Sequence, residues 1–386
     1  MDFDLGWILL GLPVAFTLGW LASRMDLRQL RIENRQAPKA YFRGLNFLLN
    51  EQQDEAIDAF IEAVQNDPDT SELHFALGNL FRRRGEYERA VRVHEHLLRR
   101  GDLPKPDLER AQHALAMDYL KAGLLDRAEV ALRKLEGTSF EQEARLALLG
   151  VYERSRDWQH ASEIATKLDS LNHGSFSGRQ AHYRCEQASA VLATGSVDSA
   201  AQLLKQARQL APNAARPLID LAKLNLQRGR VDDAMADLQE LERCAPQALP
   251  LAAGLLVTLA QTDTTQASTI HSKAVDLLKT HYRHTPSVDV MDAIAKLEVD
   301  PMVGRQSFIT HLETEASLVA ASRWLAGEAS GNPHNQHLVQ RALNQAIKPL
   351  VRYRCAACGF EATQHFWHCP GCQAWDSYPA RRIEEL

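Results

Sequence analysis

Helix-spaced apolar residues recur along this chain with a period of thirty-four, and that period limits the fold more than any other feature. Ala56 and Ala90 are thirty-four residues apart, as are Ala200 and Ala234. A unit of this length holds two helices and two turns, and it cannot bury its apolar face alone. Stacking against a neighbour of the same kind is the way to cover that face, so the chain is expected to form an array of helix hairpins. The window from Ala40 places Gly44, Phe47, Ala56, Phe60, Ala63 and Pro68 at regular offsets, and the next repeats them with Leu77, Gly78, Phe81 and Ala90. Gly44 and Ala56 are small enough for two antiparallel helices to approach closely, while Phe47 and Phe60 fill the space between units. Gly85, ahead of Glu86 and Tyr87, marks the turn inside a pair.

These small, aromatic and proline positions are those of a tetratricopeptide repeat. Tyr119 with Ala128 and Tyr152 with Ala161 keep the nine-residue offset between the aromatic of the first helix and the alanine of the second. Ala200, Ala207 and Pro212, then Ala234 and Pro246, mark two later units. The stretch Leu171 to Gly178 shifts the phase and is expected to bend the array between two sub-arrays. From Leu249 to Ile347 the segments read as helical while the signature decays. The body, residues 40–347, is therefore expected to be an all-α superhelix whose concave surface holds another protein.

The C-terminus carries a different constraint. Cys355-Ala-Ala-Cys358 and Cys369-Pro-Gly-Cys372 are two Cys-x-x-Cys pairs separated by ten residues. Each pair forms a tight knuckle that points two thiolates at one ion, and two knuckles complete a tetrahedral S₄ site. A disulfide pairing suits an oxidising compartment and a small secreted chain, and neither condition fits this one. The knuckles are similar to those of rubredoxin, without the long loop between them, which favours zinc; iron also accepts four thiolates. Tyr353, Phe360, Phe366, Trp367, Trp375 and Tyr378 surround the pairs in a chain only 7% aromatic. Residues 348–386 thus read as a metal-binding module held together by an ion and aromatic packing. His365 and His368 are close by, but four thiolates already fill the coordination shell.

At the other end, Leu5 to Ser23 contains no charged residue. Nineteen helical residues at about 1.5 Å each cover roughly 28 Å, close to the hydrocarbon thickness of a bilayer. Asp2 and Asp4 precede the stretch, and Arg24, Arg28, Arg31, Arg35 and Lys39 follow it. A cleaved signal peptide has the opposite charge order. The segment 1–23 is read as a single-pass anchor with the bulk of the chain on the cytoplasmic side. Trp7 and Trp20 sit near its ends, and Pro13 could mark a surface for another membrane protein. Residues 24–39 form a basic juxtamembrane linker whose arginines share one helical face and can meet anionic headgroups. A reducing compartment agrees with four free thiols. The net charge of −5 gives no field that suggests nucleic acid.

Catalytic signatures are absent. No phosphate-binding glycine loop occurs, His94-Glu95-His96 has the wrong spacing for a zinc protease, and Gly174 to Gly178 does not centre a serine as a nucleophile elbow would. His281 with His284, and His334 with His337, lack a third ligand nearby. Cys185 and Cys244 read as small core residues. Arg82, Arg83, Arg84, Arg99 and Arg100 give the second repeat a basic character that could meet an acidic partner, or be a solvated face. The chain is therefore expected not to be an enzyme.

Anchor, repeats and knuckles in this order resemble the lipopolysaccharide assembly protein B family over essentially the whole chain. The likeness rests on GLNFLLNEQQDEA at Gly44 to Ala56, LGNLFRRRGE at Leu77 to Glu86, YRCAACGF at Tyr353 to Phe360 and WHCPGCQAW at Trp367 to Trp375. It implies a rubredoxin-like module in which Cys355, Cys358, Cys369 and Cys372 hold the metal. It also implies an inner-membrane adaptor that limits lipopolysaccharide synthesis by presenting the deacetylase of the lipid A pathway to a membrane-bound ATP-dependent zinc protease. A membrane lipopolysaccharide-sensing regulator would restrain it, membrane lipids would surround its anchor, and a homodimer is among the compatible assemblies. Two other readings remain open at this point: an electron-transfer protein with an S₄ iron, and a general scaffold for envelope-assembly enzymes.

Overall fold

The structure, a computed structural model, describes residues 16–20, 39–67, 70–170, 175–262, 267–326 and 333–386. The chain divides into two compact units, Met1–Ser155 and Arg156–Leu386. In the first, helix α1 covers residues 39–49. It is followed by α2 (Gln53–Asn66), α3 (Ser71–Arg84), α4 (Tyr87–Arg99), α5 (Lys105–Lys121), α6 (Leu125–Arg133) and α7 (Glu141–Ser155). Each helix packs antiparallel-hairpin fashion on the next, as the period requires.

The repeat positions do what their size allows. Ala56, Ala63 and Ala90 are fully buried, and the ring of Phe60 lies so close to Gly44 that a Cβ there would come within 2.9 Å of it. Gly85 ends α3 in the left-handed conformation, φ +85°, and the Glu86 N–H reaches back to the Phe81 carbonyl at 2.8 Å. Small side chains elsewhere also make room for a buried polar group. Gly78 faces His94, where an added Cβ would stand 2.5 Å from Nε2. His94 Nδ1 lies 2.5 Å from Asp118 Oδ2, and Arg82 Nη1 donates to Asp118 Oδ1 at 2.9 Å. His94 and Asp118 are both fully buried.

Of the two readings of the basic run, the structure agrees with a solvated face, with most of its charges paired. Arg82 is taken up by Asp118 and Asn79, Arg84 pairs with Asp54 and Glu86, Arg99 with Glu95, and Arg100 with Asp102. The arginines of LFRRRGE mostly neutralise carboxylates of their own and adjacent helices, which a linear charge count cannot reveal.

The second unit contains α8 (Trp158–Asp169), α9 (Ser177–Ala193), α10 (Val197–Leu210), α11 (Ala215–Gln227), α12 (Val231–Cys244), a short 3₁₀ turn (Pro246–Ala248), α13 (Leu249–Ala260), α14 (Ala267–His284), α15 (Val288–Leu297), α16 (Pro301–Thr314), α17 (Leu318–Ala326) and α18 (Pro333–Ile347). Past Leu249 the tetratricopeptide signature fades, yet hairpin packing continues through one apolar core that includes Leu249, Leu256, Ile270, Leu278, Val290 and Ile294. The chain then leaves helical structure for strands β1 (Tyr353–Arg354) and β2 (Glu361–Ala362), which pair antiparallel. The metal module is part of the second compact unit, packed with the helices rather than set apart from them.

Of the expected anchor only residues 16–20 are described; they are helical, and Phe16, Leu18 and Trp20 are exposed. Among the described residues no helix is long and apolar enough to cross a membrane. The rest of segment 1–23, the arginines of the linker and residues 171–174 of the expected bend lie outside the described residues.

Candidate metal centre

Two knuckles build the site, and each follows the same backbone path. In the first, the Gly359 N–H donates to the Cys355 carbonyl at 2.9 Å, and Cys355 N–H to the Phe360 carbonyl at 2.9 Å. In the second, Gln373 N–H donates to the Cys369 carbonyl at 2.8 Å and Cys369 N–H to the Ala374 carbonyl at 2.9 Å. The residue after the second cysteine must turn left-handed in both, Gly359 at φ +78° and Gln373 at φ +62°. Glycine adopts that conformation freely; glutamine does so at a cost of about 1 kcal/mol.

The result brings all four Sγ atoms within 4.8 Å of one another. Cys355 and Cys372 are 3.8 Å apart, as are Cys358 and Cys369. Four sulfurs each about 2.3 Å from a central zinc would be about 3.8 Å apart, so the donor set fits one metal ion. Cys355 and Cys369 are buried while Cys358 and Cys372 are exposed.

The electrostatics agree. Burial opposes ionisation of Cys355, but the Ser377 hydroxyl and the N–H groups of Cys358 and Ala357 outweigh it and bring the pKa down to about 6. Cys369 is lowered too, its burial offset by the N–H groups of Cys372 and Gly371. Cys358 has an amide from Phe360 favouring its thiolate, yet burial and the three neighbouring sulfurs push it up to about 12. Two thiolates, Cys355 and Cys369, are favoured, while that of Cys358 is suppressed by the neighbouring sulfurs, which a cation at the centre would relieve.

Neither nearby histidine belongs to the cluster. His365 Nε2 bonds the Tyr378 carbonyl at 3.1 Å, and its ring packs edge-on against Tyr353 and Trp367; burial lowers its pKa. His368 stacks on Trp375 at 4.3 Å and pairs with it in an isolated bridge. His281 is buried with its Nδ1 2.9 Å from Glu242, and among the described residues neither it nor His284 falls in a group of three or more ligand atoms that could hold an ion. The side chain of His334 lies outside the described residues. Cys185 is buried, and burial raises its pKa, while Cys244 is half-buried.

What the sequence did not announce is how firmly this module is held. His182 on α9, 3% exposed, lies 2.9 and 3.0 Å from the two Asp376 oxygens and stacks on Trp375 at 4.8 Å. Trp158 and Tyr183, themselves stacked, meet Trp375 edge-on. On the other side the last residues return to the helices. Arg382 forks onto Asp289 at 2.7 and 3.1 Å, with its guanidinium 4.1 Å over the Tyr353 ring. Glu385 accepts from the Val288 N–H at 2.6 Å, opening α15, and Glu384 from Leu318 and Val319, opening α17. The aromatic run around the cysteines was the one sequence signal of this docking; its partners on α8 and α9 carried none.

Comparison with known proteins follows the same division. The family model for a rubredoxin metal binding domain matches residues 353–378, and tetratricopeptide repeat models match 73–109 and 191–259. Lipopolysaccharide assembly protein B of Escherichia coli (strain K12) is 30% identical over 381 residues, covering 97% of this chain and 98% of the relative. The protein of the same name from Haemophilus influenzae is 27% identical over 394 residues, covering 95% and 96%. A tetratricopeptide repeat protein from Parabacteroides merdae aligns over 68% of this chain and 99% of its own, at 16% identity and a TM-score of 0.34, too slight a likeness to bear on function. The full-length match at 30% identity places the chain in the lipopolysaccharide assembly protein B family.

Proposed function

We propose that this protein is a non-catalytic adaptor of lipopolysaccharide assembly, anchored in the inner membrane by residues 1–23, with repeats and metal module on the cytoplasmic side. In this reading the repeats 40–347 gather the lipid A pathway deacetylase and a membrane-bound ATP-dependent zinc protease, so that the deacetylase is degraded and lipopolysaccharide synthesis is limited. A lipopolysaccharide-sensing membrane regulator would act on the anchor. The observation that carries the proposal is that the likeness to proteins named for lipopolysaccharide assembly runs through repeats and ribbon alike, over 97% of the chain. Hairpin stacks present extended surfaces suited to holding other proteins. Tethering to the membrane raises the effective concentration of a client near a membrane protease without any new contact.

Cys355, Cys358, Cys369 and Cys372 are assigned as the ligands of one structural zinc. When bound, the ion supplies folding free energy by cross-linking the two knuckles. The chain's own residues then transmit that order: Trp375 and Asp376 to α9, Arg382 and Glu384 to α15 and α17. The test is to deplete the protein in its native host and follow the deacetylase after translation is stopped. A lengthened half-life is expected, and an unchanged one refutes the proposal. Metal analysis of the purified protein separates zinc from an iron-sulfur tetrahedron, which would colour the protein and bleach on reduction.

A further inference from the structure

Three consecutive residues of the ribbon serve its docking and its metal site at once. Asp376 turns left-handed, φ +50°, and its carboxylate meets His182 of α9 at 2.9 and 3.0 Å. Directly after that turn, the Ser377 Oγ lies 3.2 Å from the Cys355 Sγ. The Ser377 backbone is pinned to the same knuckle, its carbonyl accepting from the Ala356 N–H at 2.7 Å. Tyr378 lies against the other buried sulfur, Cys369, while its hydroxyl donates to the Phe360 carbonyl at 3.2 Å.

The first cysteine of each knuckle has the same amide donors, which isolates what the serine adds. Cys355 receives the N–H groups of Ala357 and Cys358, and Cys369 those of Gly371 and Cys372. Ser377 comes from outside both knuckles. Its single hydroxyl hydrogen has two acceptors in reach, the Cys355 sulfur and the Ala374 carbonyl, each at 3.2 Å. A metal-bound sulfur has no hydrogen of its own and can only accept, and the Ala374 carbonyl already accepts from the Cys369 N–H at 2.9 Å. The hydroxyl is therefore available to the sulfur whenever the ion is present. Cys355 is 1% exposed, so water does not compete for its lone pairs, and a hydrogen bond to a charged acceptor is stronger than one between neutral groups.

We propose that Ser377 is a positioning residue of the metal centre, its hydroxyl holding Cys355 as a ligand, and that the docking of Asp376 on His182 keeps that hydroxyl aimed. Hydrogen bonds to coordinated ligands fix their orientation and electron density, and losing one typically costs about 10–100-fold in metal affinity. The affinity for the ion is then set in part from α9, a helix that supplies no ligand. The inference rests on the assignment of the four cysteines to one ion. A chain that takes up no metal refutes that assignment, whereas one that holds metal with Ser377 silent refutes only the role of the serine.

The experiment loads the full chain in detergent micelles with zinc, for competition against a chelator of known affinity, and separately with cobalt(II), whose thiolate charge-transfer band reports the electron density on sulfur. Ser377→Ala should weaken zinc binding about tenfold or more and move the cobalt band to longer wavelength. Ser377→Thr, which keeps the hydroxyl, should restore both. His182→Phe keeps a ring against Trp375 and leaves the exposed Asp376 to solvent. It should shift both readouts in the same direction and add nothing once Ser377 is alanine. Unchanged affinity and spectrum in Ser377→Ala overturn the proposal, as does a loss that Ser377→Thr fails to restore. An effect of His182→Phe that persists undiminished in the Ser377→Ala background overturns the route from α9.

Discussion

Stripping the metal with a chelator should unpick the first turn of α17, a helix that contains none of the four cysteines. The route runs through the tail. Ile383 N–H donates to the Arg352 carbonyl at 2.8 Å and Glu384 N–H to the Leu350 carbonyl at 3.3 Å, so the tail's position depends on the strand that leads into the first knuckle. From there Glu384 accepts from Leu318 N–H at 2.5 Å, from Val319 N–H at 3.1 Å and from the Ser317 hydroxyl at 2.8 Å. A hydrogen bond to an ionised acceptor contributes about 1.5–3 kcal/mol and a helix cap about 1 kcal/mol. Glu384 is half-exposed and Ser317 still caps Ala320. We therefore take about 2–3 kcal/mol for the whole contact, equivalent to a roughly 30- to 150-fold faster exchange of the amides it protects. Hydrogen exchange at Leu318 and Val319 should accelerate by that factor in the chelated protein and, equally, in metal-loaded Glu384→Ala. Chelating the variant should add little more, since the two perturbations share one path. If chelation leaves these amides as protected as before, the tail is not the route and the coupling argument fails.

Four other outcomes follow from the same contacts. Cys355→Ser and Cys372→Ser should each lower bound metal to a small fraction of the parent and expose residues 348–386 to protease, measured by metal analysis and limited proteolysis. Gly78→Ala forces a Cβ to within 2.5 Å of His94 Nε2 and should destabilise the first unit by about 1–3 kcal/mol in urea unfolding. Asp118→Ala leaves Arg82 and His94 without their shared carboxylate and should cost about 3–5 kcal/mol. Burial lowers the pKa of His74, His113 and His311. The unfolded chain therefore takes up these protons first, and unfolding free energy should decline as pH falls below about 6.5.

The repeat array was legible because its physics is local and periodic. A buried alanine at 56 recurs at 90, and one at 200 recurs at 234. The knuckles were legible for the same reason, since two pairs of cysteines, each pair three residues apart, are a metal-ligand spacing. The partners of the basic run at Arg82 to Arg84 were not legible because pairing is decided between helices: Asp118 lies thirty-six residues from Arg82 and Asp54 thirty from Arg84. That a module this small docks on the helices follows from its size, but the contacts that hold it were hidden more deeply. His182 and Asp376 are separated by 194 residues, and a lone histidine on a helix carries no mark of the carboxylate it will meet. Past Leu249, where the repeat signature fades, the starts of α15 and α17 are completed by Glu385 and Glu384 from the distant tail, contacts that no local pattern could show.

That exchange explains why a metal ribbon stands at this end of the chain. Residues 348–386 are too few to bury a core, and without the ion the mutual repulsion of the sulfurs would oppose their convergence. The ribbon gains its missing apolar surface from Trp158 and Tyr183, whose rings would otherwise leave part of α8 and α9 uncovered. The helices gain two N-terminal caps and an arginine fork from the tail in return. Each side is incomplete alone, so order in the ribbon and order in α9, α15 and α17 should rise and fall together. The sharpest check is hydrogen exchange followed helix by helix after chelation. Faster exchange in α9, α15 and α17, with α10 and α12 still protected, is the outcome this coupling requires. Unchanged exchange in α9 without metal would mean the ribbon is held by its aromatic contacts alone.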